Sequence, residues 1–277
     1  MRQKNILFLG YGDIASRASR CLPNYAVTAV SRSVKPVPEH VRHIQGAADA
    51  AAVWDAIRKK KWDVVVITLT PTEMSDEAYK LAYVDTLHAL IHRWEQRLAP
   101  KLVLFASSTS VYGQDDGSWV DEDSPTLPSS FSGRRLLEAE QVLAGSGLNS
   151  VIVRFAGIYG PGRDYLLRQV RDGNGGDDSF SNRLHADDCA GVLVHLMERF
   201  FKGQALDPLY VACDNKPAPG KDVRSWLADQ MGISRTTLEI TKSSRGGNKR
   251  CSNHRLLSSG YRLVYPSYKD GYKTLLP

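Results

Sequence analysis

Short apolar runs alternate with amphipathic stretches through the first two thirds of this chain. This alternation is typical of parallel strands that are joined by crossover helices. It predicts strands at residues 5–9, 26–31, 42–46, 64–69, 102–107 and 150–155, and helices at 14–21, 48–60, 76–98 and 133–145. The sequence therefore predicts an α/β fold with a doubly wound parallel sheet.

The regular alternation ends after Gly160. A predicted helix at 164–171 leads into a loop at 172–178 that is rich in Gly, Asp and Asn, and a helix at 186–201 and a strand at 209–213 follow. We expect two parts, with a ligand in a cleft between them. Residues 1–160 and roughly 182–213 would form the dinucleotide-binding domain, and roughly 161–181 and 214–277 a smaller substrate lobe.

A glycine-rich turn follows the first predicted strand and opens the first predicted helix. The segment Gly10-Tyr-Gly12-Asp-Ile-Ala15 fits the dinucleotide-binding pattern G-x-G-x-x-G/A in the context that this pattern requires. Gly12 would let backbone N–H groups approach a pyrophosphate, and Ala15 would allow close helix packing. We expect a Rossmann-type domain in which the cofactor contacts are Gly10, Tyr11, Gly12, Asp13, Ile14 and Ala15. A turn that uses its glycines for geometry alone is the alternative.

The end of the second predicted strand bears on which dinucleotide binds. NAD sites place an acidic residue there, whereas NADP sites avoid the acid and supply an arginine. Here Ser31-Arg32-Ser33 stands with Lys35 nearby, and no acid appears before Glu39. A guanidinium group suits a 2′-phosphate, so the sequence favours NADP(H) over NAD(H). A solvated loop arginine is the alternative. Further cofactor contacts are predicted after the fourth strand, at Thr68, Leu69 and Thr70.

Composition argues against several classes of protein. With 42% hydrophobic and 24% charged residues among 277, the chain has the balance of an ordinary folded protein rather than a disordered or membrane chain. Its N-terminal apolar run is too short for a signal peptide, so we expect a cytoplasmic protein. The net charge of +6 includes basic clusters at 58–61 and 245–250. Neither is interleaved with stacking aromatic residues, and we do not expect nucleic acid as a partner.

The cysteines and histidines do not predict a metal site. Cys21, Cys189, Cys213 and Cys251 are scattered without CxxC spacing, which fits reduced thiols. His88 and His92 lie four residues apart on a predicted helix, but no Cys, Asp or Glu stands at matching spacing.

Four segments resemble the extended short-chain dehydrogenase/reductase family, which includes the NAD-dependent epimerases and dehydratases. Residues 105–113, FASSTSVYG, are similar to the fifth strand of that family, and residues 132–143, SGRRLLEAEQVL, to the helix usually written YGRSKLEAEQLV. Residues 154–162 and 182–190 resemble the family segments RPxxVYGPG and xxIHVxDxA. The resemblance spans nearly the whole chain and implies a Rossmann domain with a small C-terminal substrate-binding lobe.

The helix segment departs from the family at its two catalytic positions. A register set on residues 138–140 puts Ser132 where the family has its catalytic Tyr, and Leu136 where it has its Lys. In the family, the Tyr phenol passes a proton while hydride moves. A serine hydroxyl is shorter and ionises far less readily, and Leu136 cannot lower a neighbouring pKa. The other register pairs Phe131 with Arg135 and also lacks the acid.

The resemblance implies the remaining site residues. Ser108 would hydrogen-bond the reacting carbonyl or hydroxyl of the substrate. Additional cofactor contacts are implied at Ser107, Phe155 and Gly157, and substrate contacts at Ser108, Thr109, Tyr159 and His185. The groups to consider as substitute proton donors are Tyr112, Tyr159, Tyr165 and His185.

These observations lead to two expectations about function. The first is an NAD(P)-binding oxidoreductase of the epimerase/dehydratase type that prefers NADP(H) and uses a non-standard proton relay on a small, possibly nucleotide-sugar-like, substrate. The second is a catalytically degenerate NADP(H)-binding sensor or scaffold. The resemblance also implies a homodimer formed through helices 76–98 and 133–145. An apolar stripe follows the first of these helices, although core packing would also explain it: Leu81, Val84, Leu87, Ile91, Trp94 and Leu98.

Overall fold

The computed structural model of this protein describes residues 3–95, 99–241 and 247–276. Their contacts form two compact units. The first unit comprises Met1–Val111, Pro128–Arg154 and Ala190–Tyr210, and the second comprises Tyr112–Leu127, Phe155–Cys189 and Val211–Pro277. The second unit thus includes Tyr112–Leu127, which our division by sequence assigned to the dinucleotide-binding domain. That division into a cofactor domain and a substrate lobe stays a prediction.

The secondary structure alternates between strands and helices as the sequence predicted. The strands are β1 (Asn5–Leu9), β2 (Ala26–Ser31), β3 (Val41–Gln45), β4 (Val64–Ile67), β5 (Val103–Ser108), β6 (Trp119–Val120), β7 (Ser150–Phe155), β8 (Gly157–Tyr159), β9 (Asn174–Gly176), β10 (Phe180–Ser181), β11 (Arg183–His185), β12 (Leu209–Ala212), β13 (Ala218–Pro219), β14 (Glu239–Ile240) and β15 (Arg250–Cys251). The helices are α1 (Asp13–Arg20), α2 (Ala51–Ile57), α3 (Asp76–Tyr79), α4 (Thr86–Glu95), α5 (Phe131–Ala144), α6 (Tyr165–Arg171), α7 (Ala186–Phe201), α8 (Gly220–Gln230), α9 (His254–Ser258) and α10 (Tyr268–Lys273).

A seven-stranded parallel sheet forms the centre of the fold, in the order β12-β7-β5-β4-β1-β2-β3. All four residues of β4 and four of the five residues of β1 are buried, as expected for parallel strands that are covered on both faces. The sequence β1, β2, β3 runs outward in one direction from β1, and β4, β5, β7 in the other. The sheet therefore has its switch point between β1 and β4, where a doubly wound fold binds its ligand.

The predicted helix at 76–98 is not continuous. A π-helix at Lys80–Asp85 separates α3 from α4. The ammonium of Lys80 lies 2.5 Å from the Asp85 carboxylate, and the Thr86 hydroxyl donates to the Leu81 carbonyl at 2.8 Å. The wider π turn changes the helix phase, so Val84 is buried while Leu81 is 58% exposed.

Most of the predicted apolar stripe faces the core. Val84, Leu87, Ile91 and Trp94 are buried within the first unit, so core packing explains them. Leu98, the last residue of the stripe, lies outside the described residues. The dimer that we inferred from this stripe stays a prediction.

The second unit contains short strands and helices around a core of its own. Four two-stranded pairings contribute to it: β10 with β13, β11 with β8, β14 with β9, and β15 with β6. The predicted loop at 172–178 therefore contains a strand, β9. Tyrosine and aliphatic side chains from β8, α6, α8 and α10 fill the core: Tyr159, Leu167, Val170, Val223, Leu227, Tyr268 and Tyr272.

Three further features bear on the classes considered above. Within the described parts of the chain, no helix has the length and apolar character to cross a bilayer. The same residues contain no group of three or more His, Cys, Asp or Glu side chains placed to hold a metal ion. All four cysteines are free thiols. Most of the basic cluster at 245–250 is described, except Arg245 and Gly246, which lie outside the described residues.

Candidate dinucleotide cleft and active-site residues

The turn after β1 needs glycine at its first position. Gly10 has φ +91°, and a Cβ atom there would lie 2.6 Å from the carbonyl oxygen of Thr68. The Thr68 hydroxyl donates to the Gly10 carbonyl at 2.6 Å, which ties the turn to the end of β4. The turn therefore lies against the neighbouring strand more closely than any residue with a side chain would allow.

Gly12, unlike Gly10, lies beside open space. A Cβ atom there would meet no atom within 4 Å, so the backbone at Gly12 faces open space. Gly12 is also the N-cap of α1, and no side chain caps that helix. Uncapped N–H groups and the positive end of the helix dipole together favour an anion at this point.

A cleft of about 340 Å³ opens beside this turn at the switch point of the sheet. Residues that follow β1, β2, β3 and β4 line it, together with residues from the helical segment after β4. Eight of the predicted cofactor residues meet there: Gly10, Tyr11, Gly12, Ser31, Arg32, Thr68, Leu69 and Thr70. Local spacing alone thus predicted residues that come together from three separate strand ends.

Arg32 is held at the edge of this cleft. Its Nη2 atom donates to the Thr70 carbonyl at 3.2 Å, and the side chain is otherwise exposed. Lys35 lines the same cleft. Ser31 contributes less directly, because its hydroxyl bonds to the Ser33 carbonyl and to Nε2 of His43, each at 2.8 Å. Two cations therefore border a site whose second strand ends without an acid.

Six predicted cofactor residues do not line the cleft, and two of them, Phe155 and Gly157, lie in the second unit. Ile14 and Ala15 are buried and pack α1 onto the sheet. Asp13 forms an ion pair with Arg17 at 2.8 Å in the first turn of α1. Ser107 is buried, and its hydroxyl donates to Glu140. The buried and ion-paired residues of α1 support the turn, and Ser107 supports β5.

The structure adds cleft residues that our reading of the sequence missed. Asp49 lines the cleft three residues after Gly46, the glycine that follows β3. Leu81 and Ala82 of the π-helix also line it. Asp49 was visible in the sequence as an acid close to a predicted strand end, whereas no sequence signal indicated the π-helix.

Ser108 ends β5 beside the start of α5. Its hydroxyl accepts the N–H of Ser110 at 3.1 Å, which leaves its own proton for a ligand. Residues Thr109–Val111 form a 3₁₀ turn, and α5 packs against this turn so closely that a side chain on Gly133 would collide with the Ser110 carbonyl. Thr109 itself is buried. The contact fixes where the first turn of α5 lies relative to Ser108.

The two positions expected to carry Tyr and Lys lie on this part of α5. The Ser132 hydroxyl is 3.1 Å from that of Ser130, the N-cap residue of the helix. Leu136, one turn later, is 5% exposed and belongs to the core. In the other register, Phe131 packs edge-on against Tyr79, and Arg135 binds the Asp76 and Glu138 carboxylates. Neither register places an acidic hydroxyl on this face.

Comparison with known proteins identifies the chain. The sequence profile described as the NAD dependent epimerase/dehydratase family matches residues 11–211. The chain belongs to the NAD-dependent epimerase/dehydratase family. Among structures, a protein of Methylobacillus flagellatus assigned as an NAD-dependent epimerase/dehydratase is 34% identical, with a TM-score of 0.81 and coverage of 99% of this chain and 97% of that one.

Two other proteins resemble the chain at lower sequence identity. The 3-diazoavenalumate denitrifying reductase of a Streptomyces species is 26% identical over 88% of this chain and 90% of its own length. The UDP-glucuronic acid 4-epimerase of Bacillus cereus in complex with NAD is 18% identical, with a TM-score of 0.79 and coverage of 97% and 94%. The second comparison establishes likeness of fold.

The cleft passes a test of fit for the dinucleotide that this epimerase/dehydratase family takes. The open space at Gly12 and the uncapped N-terminus of α1 suit a pyrophosphate, and Gly10 lets the turn lie flat on Thr68. The exposed Leu81 side chain offers an apolar wall in the same cleft. The residues present therefore fit the cofactor.

The remaining predicted residues lie in the second unit and are mostly buried. Tyr159 stacks on Tyr272 with ring centres 4.4 Å apart, and burial raises the pKa of its phenol well above the ordinary value. His185 is 1% exposed and packs 4.0 Å from the Tyr265 ring. Phe155 is buried, and Gly157 donates its N–H to Asn182 at 3.1 Å.

Two other tyrosines were considered as substitute proton donors. The Tyr112 hydroxyl donates to the Asp121 carbonyl at 2.6 Å, so its proton is committed inside the second unit. Tyr165 begins α6 and is 53% exposed. The role of each in proton transfer stays a prediction.

Proposed function

We propose that this chain is an oxidoreductase that binds NADP(H) at the switch point of its sheet and acts on a small substrate without the family's Tyr/Lys proton relay. The cleft carries the proposal, because it combines the glycine turn, the uncapped helix and two bordering cations. The curated relative named as a reductase supports reduction as the reaction class. A nucleotide sugar is one candidate class of substrate.

In this proposal the chain's own residues hold the cofactor at its phosphate groups. The backbone of Gly10, Tyr11 and Gly12 would bind the pyrophosphate. Arg32 and Lys35 would bind the 2′-phosphate, for which a guanidinium offers paired donors. Bound NADP(H) would supply or accept hydride. Preference for NADP(H) over NAD(H) therefore depends on these two cations.

The substrate would be oriented by Ser108 and protonated by another group. Ser108 has a hydroxyl proton to donate, and the fixed contact of α5 with the turn at 109–111 holds its surroundings. A general acid contributes about 10²- to 10⁴-fold to a rate, whereas proximity of the reacting groups contributes more. Loss of the Tyr and Lys therefore slows a reduction without abolishing it, and water can supply the proton.

A second candidate function follows from Leu136. A buried aliphatic side chain stands where the family lysine would contact the cofactor, which favours a protein that binds NADP(H) and no longer turns it over. Such a sensor or scaffold would change its affinity for a partner with the redox state of the cofactor. In both readings the proposed location is the cytoplasm, and a homodimer is the proposed assembly.

Titration of the purified protein with NADPH and NADH, followed by fluorescence, tests the binding step. Oxidation of NADPH in the presence of aldehydes, ketones and nucleotide sugars then tests turnover. We expect activity in the wild type that falls with Ser108→Ala and is unchanged by Ser132→Ala. The conservative change Leu136→Met serves as a control for core packing on α5.

The outcomes separate the two candidates. Activity that appears only in the double variant Ser132→Tyr with Leu136→Lys would support the degenerate site and overturn the enzyme. Tight NADPH binding without turnover in any variant would reject the enzyme and support the sensor or scaffold. Absence of binding by either dinucleotide would reject both functions.

A further inference from the structure

Two arginines of the second unit are withdrawn from water without an acidic partner. Arg183 on β11 is 7% exposed, and Arg224 on α8 is partly buried. Neither forms an ion pair with any residue in the described ranges 3–95, 99–241 and 247–276. Buried charges in proteins are normally paired, because taking an unpaired ion out of water is costly. This pair of guanidinium groups therefore lacks an acidic partner in direct contact.

Neutral groups hold Arg183 in place. Its Nη2 atom donates to the Ser181 hydroxyl at 2.7 Å and its Nη1 atom to the Ser181 carbonyl at 3.3 Å. The guanidinium lies 5.8 Å from the centre of the Tyr268 ring, and its positive charge acts on the Tyr272 phenol. These contacts orient the guanidinium plane and leave its charge uncancelled.

Glycines make room for Arg224. A Cβ atom on Gly176 would lie 2.7 Å from its Nη1 atom, and one on Gly220 would lie 3.1 Å from the same atom. The Nε atom is buried and has no acceptor among the described residues. Burial first, and then the positive charge of Arg183, lower the pKa of the Arg224 guanidinium, while the Asp177 carboxylate acts in the opposite direction. The two cations are thus close enough to repel each other.

The buried acid Asp214 neutralises neither guanidinium while it is protonated. Asp214 is 2% exposed, and its Oδ1 atom accepts the N–H of Lys216 at 2.9 Å. Its Oδ2 atom is buried and has no hydrogen-bond donor among the residues described. Burial raises the pKa of Asp214 to about 7, although Arg183 acts in the opposite direction. Below that pH the acid is protonated, so its charge is absent.

We propose that Arg183 and Arg224 form an anion site inside the second unit that binds a carboxylate or phosphate group of the substrate. Guanidinium groups form paired, charge-assisted hydrogen bonds with both kinds of anion. A bound anion would supply the missing counter-charge and an acceptor for Nε of Arg224. This assignment rests on the proposed function, because it makes the second unit the place where an anionic substrate is held.

Calorimetric titration of the full chain with inorganic phosphate, and separately with acetate, tests the site and distinguishes the two anions. Chloride at matched ionic strength serves as the reference. We expect Arg224→Gln to weaken binding of the preferred anion by about tenfold or more, and Arg224→Lys to retain part of it. The matched control is Arg168→Gln, because Arg168 is an exposed arginine of α6 paired with Asp164. Arg183→Gln is the second variant, checked for folding by circular dichroism.

A pH series adds an independent readout. The charged groups that face Asp214 are Arg183 on β11, Asp188 on α7 and Asp270 on α10, and the phenols of Tyr159, Tyr268 and Tyr272 lie around it. Ionised Asp214 would compete with the anion for Arg183. Affinity for acetate, which stays fully ionised over this range, should therefore fall as pH rises past about 7 in the wild type and not in Asp214→Asn.

The site and the proposed function can fail separately. Equal anion affinities in the wild type and Arg224→Gln, or no heat from either anion, would overturn the anion site while NADPH binding stayed intact. Loss of NADPH binding with anion binding retained would overturn the proposed oxidoreductase and leave the anion site standing.

Discussion

The hydroxyl of Ser107 donates a 2.5 Å hydrogen bond to the Glu140 carboxylate. Nη2 of Arg154 binds the same carboxylate at 2.6 Å, and all three side chains are buried. The cluster joins β5, α5 and β7 within the first unit. Because successive side chains of a strand point to opposite faces, fixing Ser107 in this cluster also fixes the direction of Ser108.

Removing the charge of Glu140 should destabilise the fold strongly. Glu140→Gln leaves the buried Arg154 guanidinium without its counter-charge, which costs about 3–5 kcal/mol. Urea unfolding followed by circular dichroism measures the change. Glu138→Gln is the control, because Glu138 is 40% exposed and should lose under about 1 kcal/mol. Equal losses in the two variants would contradict the role of the cluster.

Alanine at Gly10 should lower the folding stability, whereas alanine at Gly12 should lower the affinity for NADPH. At Gly10, the left-handed backbone and the contact with Thr68 should cost about 1–3 kcal/mol of folding stability. At Gly12 an added methyl group meets no atom, so stability should stay within about 0.5 kcal/mol while NADPH affinity falls. Thermal unfolding and NADPH titration of both variants test this. A destabilised Gly12→Ala protein with normal NADPH affinity would be the opposite result.

Arg32 should discriminate between the two dinucleotides. Without it the 2′-phosphate loses a charge-assisted partner, so Arg32→Gln should weaken NADPH by about tenfold and leave NADH affinity nearly unchanged. Fluorescence titration measures both constants. Arg58→Gln at the end of α2 is the control, because Arg58 is exposed and paired with Asp55. A parallel loss for both dinucleotides would assign Arg32 to the shape of the cleft instead.

Asp214 should make the protein less stable as pH rises. Burial raises its pKa from 3.8 to about 7, so the folded state favours the protonated acid. The stability that this proton contributes is fully present below the unfolded value and is lost as pH rises through about 7. The loss is up to about 4 kcal/mol. Urea unfolding from pH 4 to 8 should show this decline in the wild type and not in Asp214→Asn, with the exposed Asp55→Asn as control.

The parts of the structure that were predictable from sequence depend on local geometry. Gly10 and Gly12 predict the turn because few other residues can replace them there. The apolar runs at β1 and β4 predict a parallel sheet that is covered on both faces. The π-helix was missed because apolar spacing near Leu81 also fits an ordinary helix. The pairing of Arg183 with Arg224 was missed because it arises from tertiary packing of β11 and α8, and no spacing pattern in the sequence encodes it.

Gly133 has a consequence for attempts to give this protein a faster reaction. Its backbone contacts the Ser110 carbonyl so closely that a methyl group would not fit. This contact fixes the position of α5 beside the end of β5. A redesigned side chain at position 132 would therefore start from a fixed backbone position. Protein engineers can therefore search for a new proton donor by choosing among side chains, without redesigning the backbone that presents them.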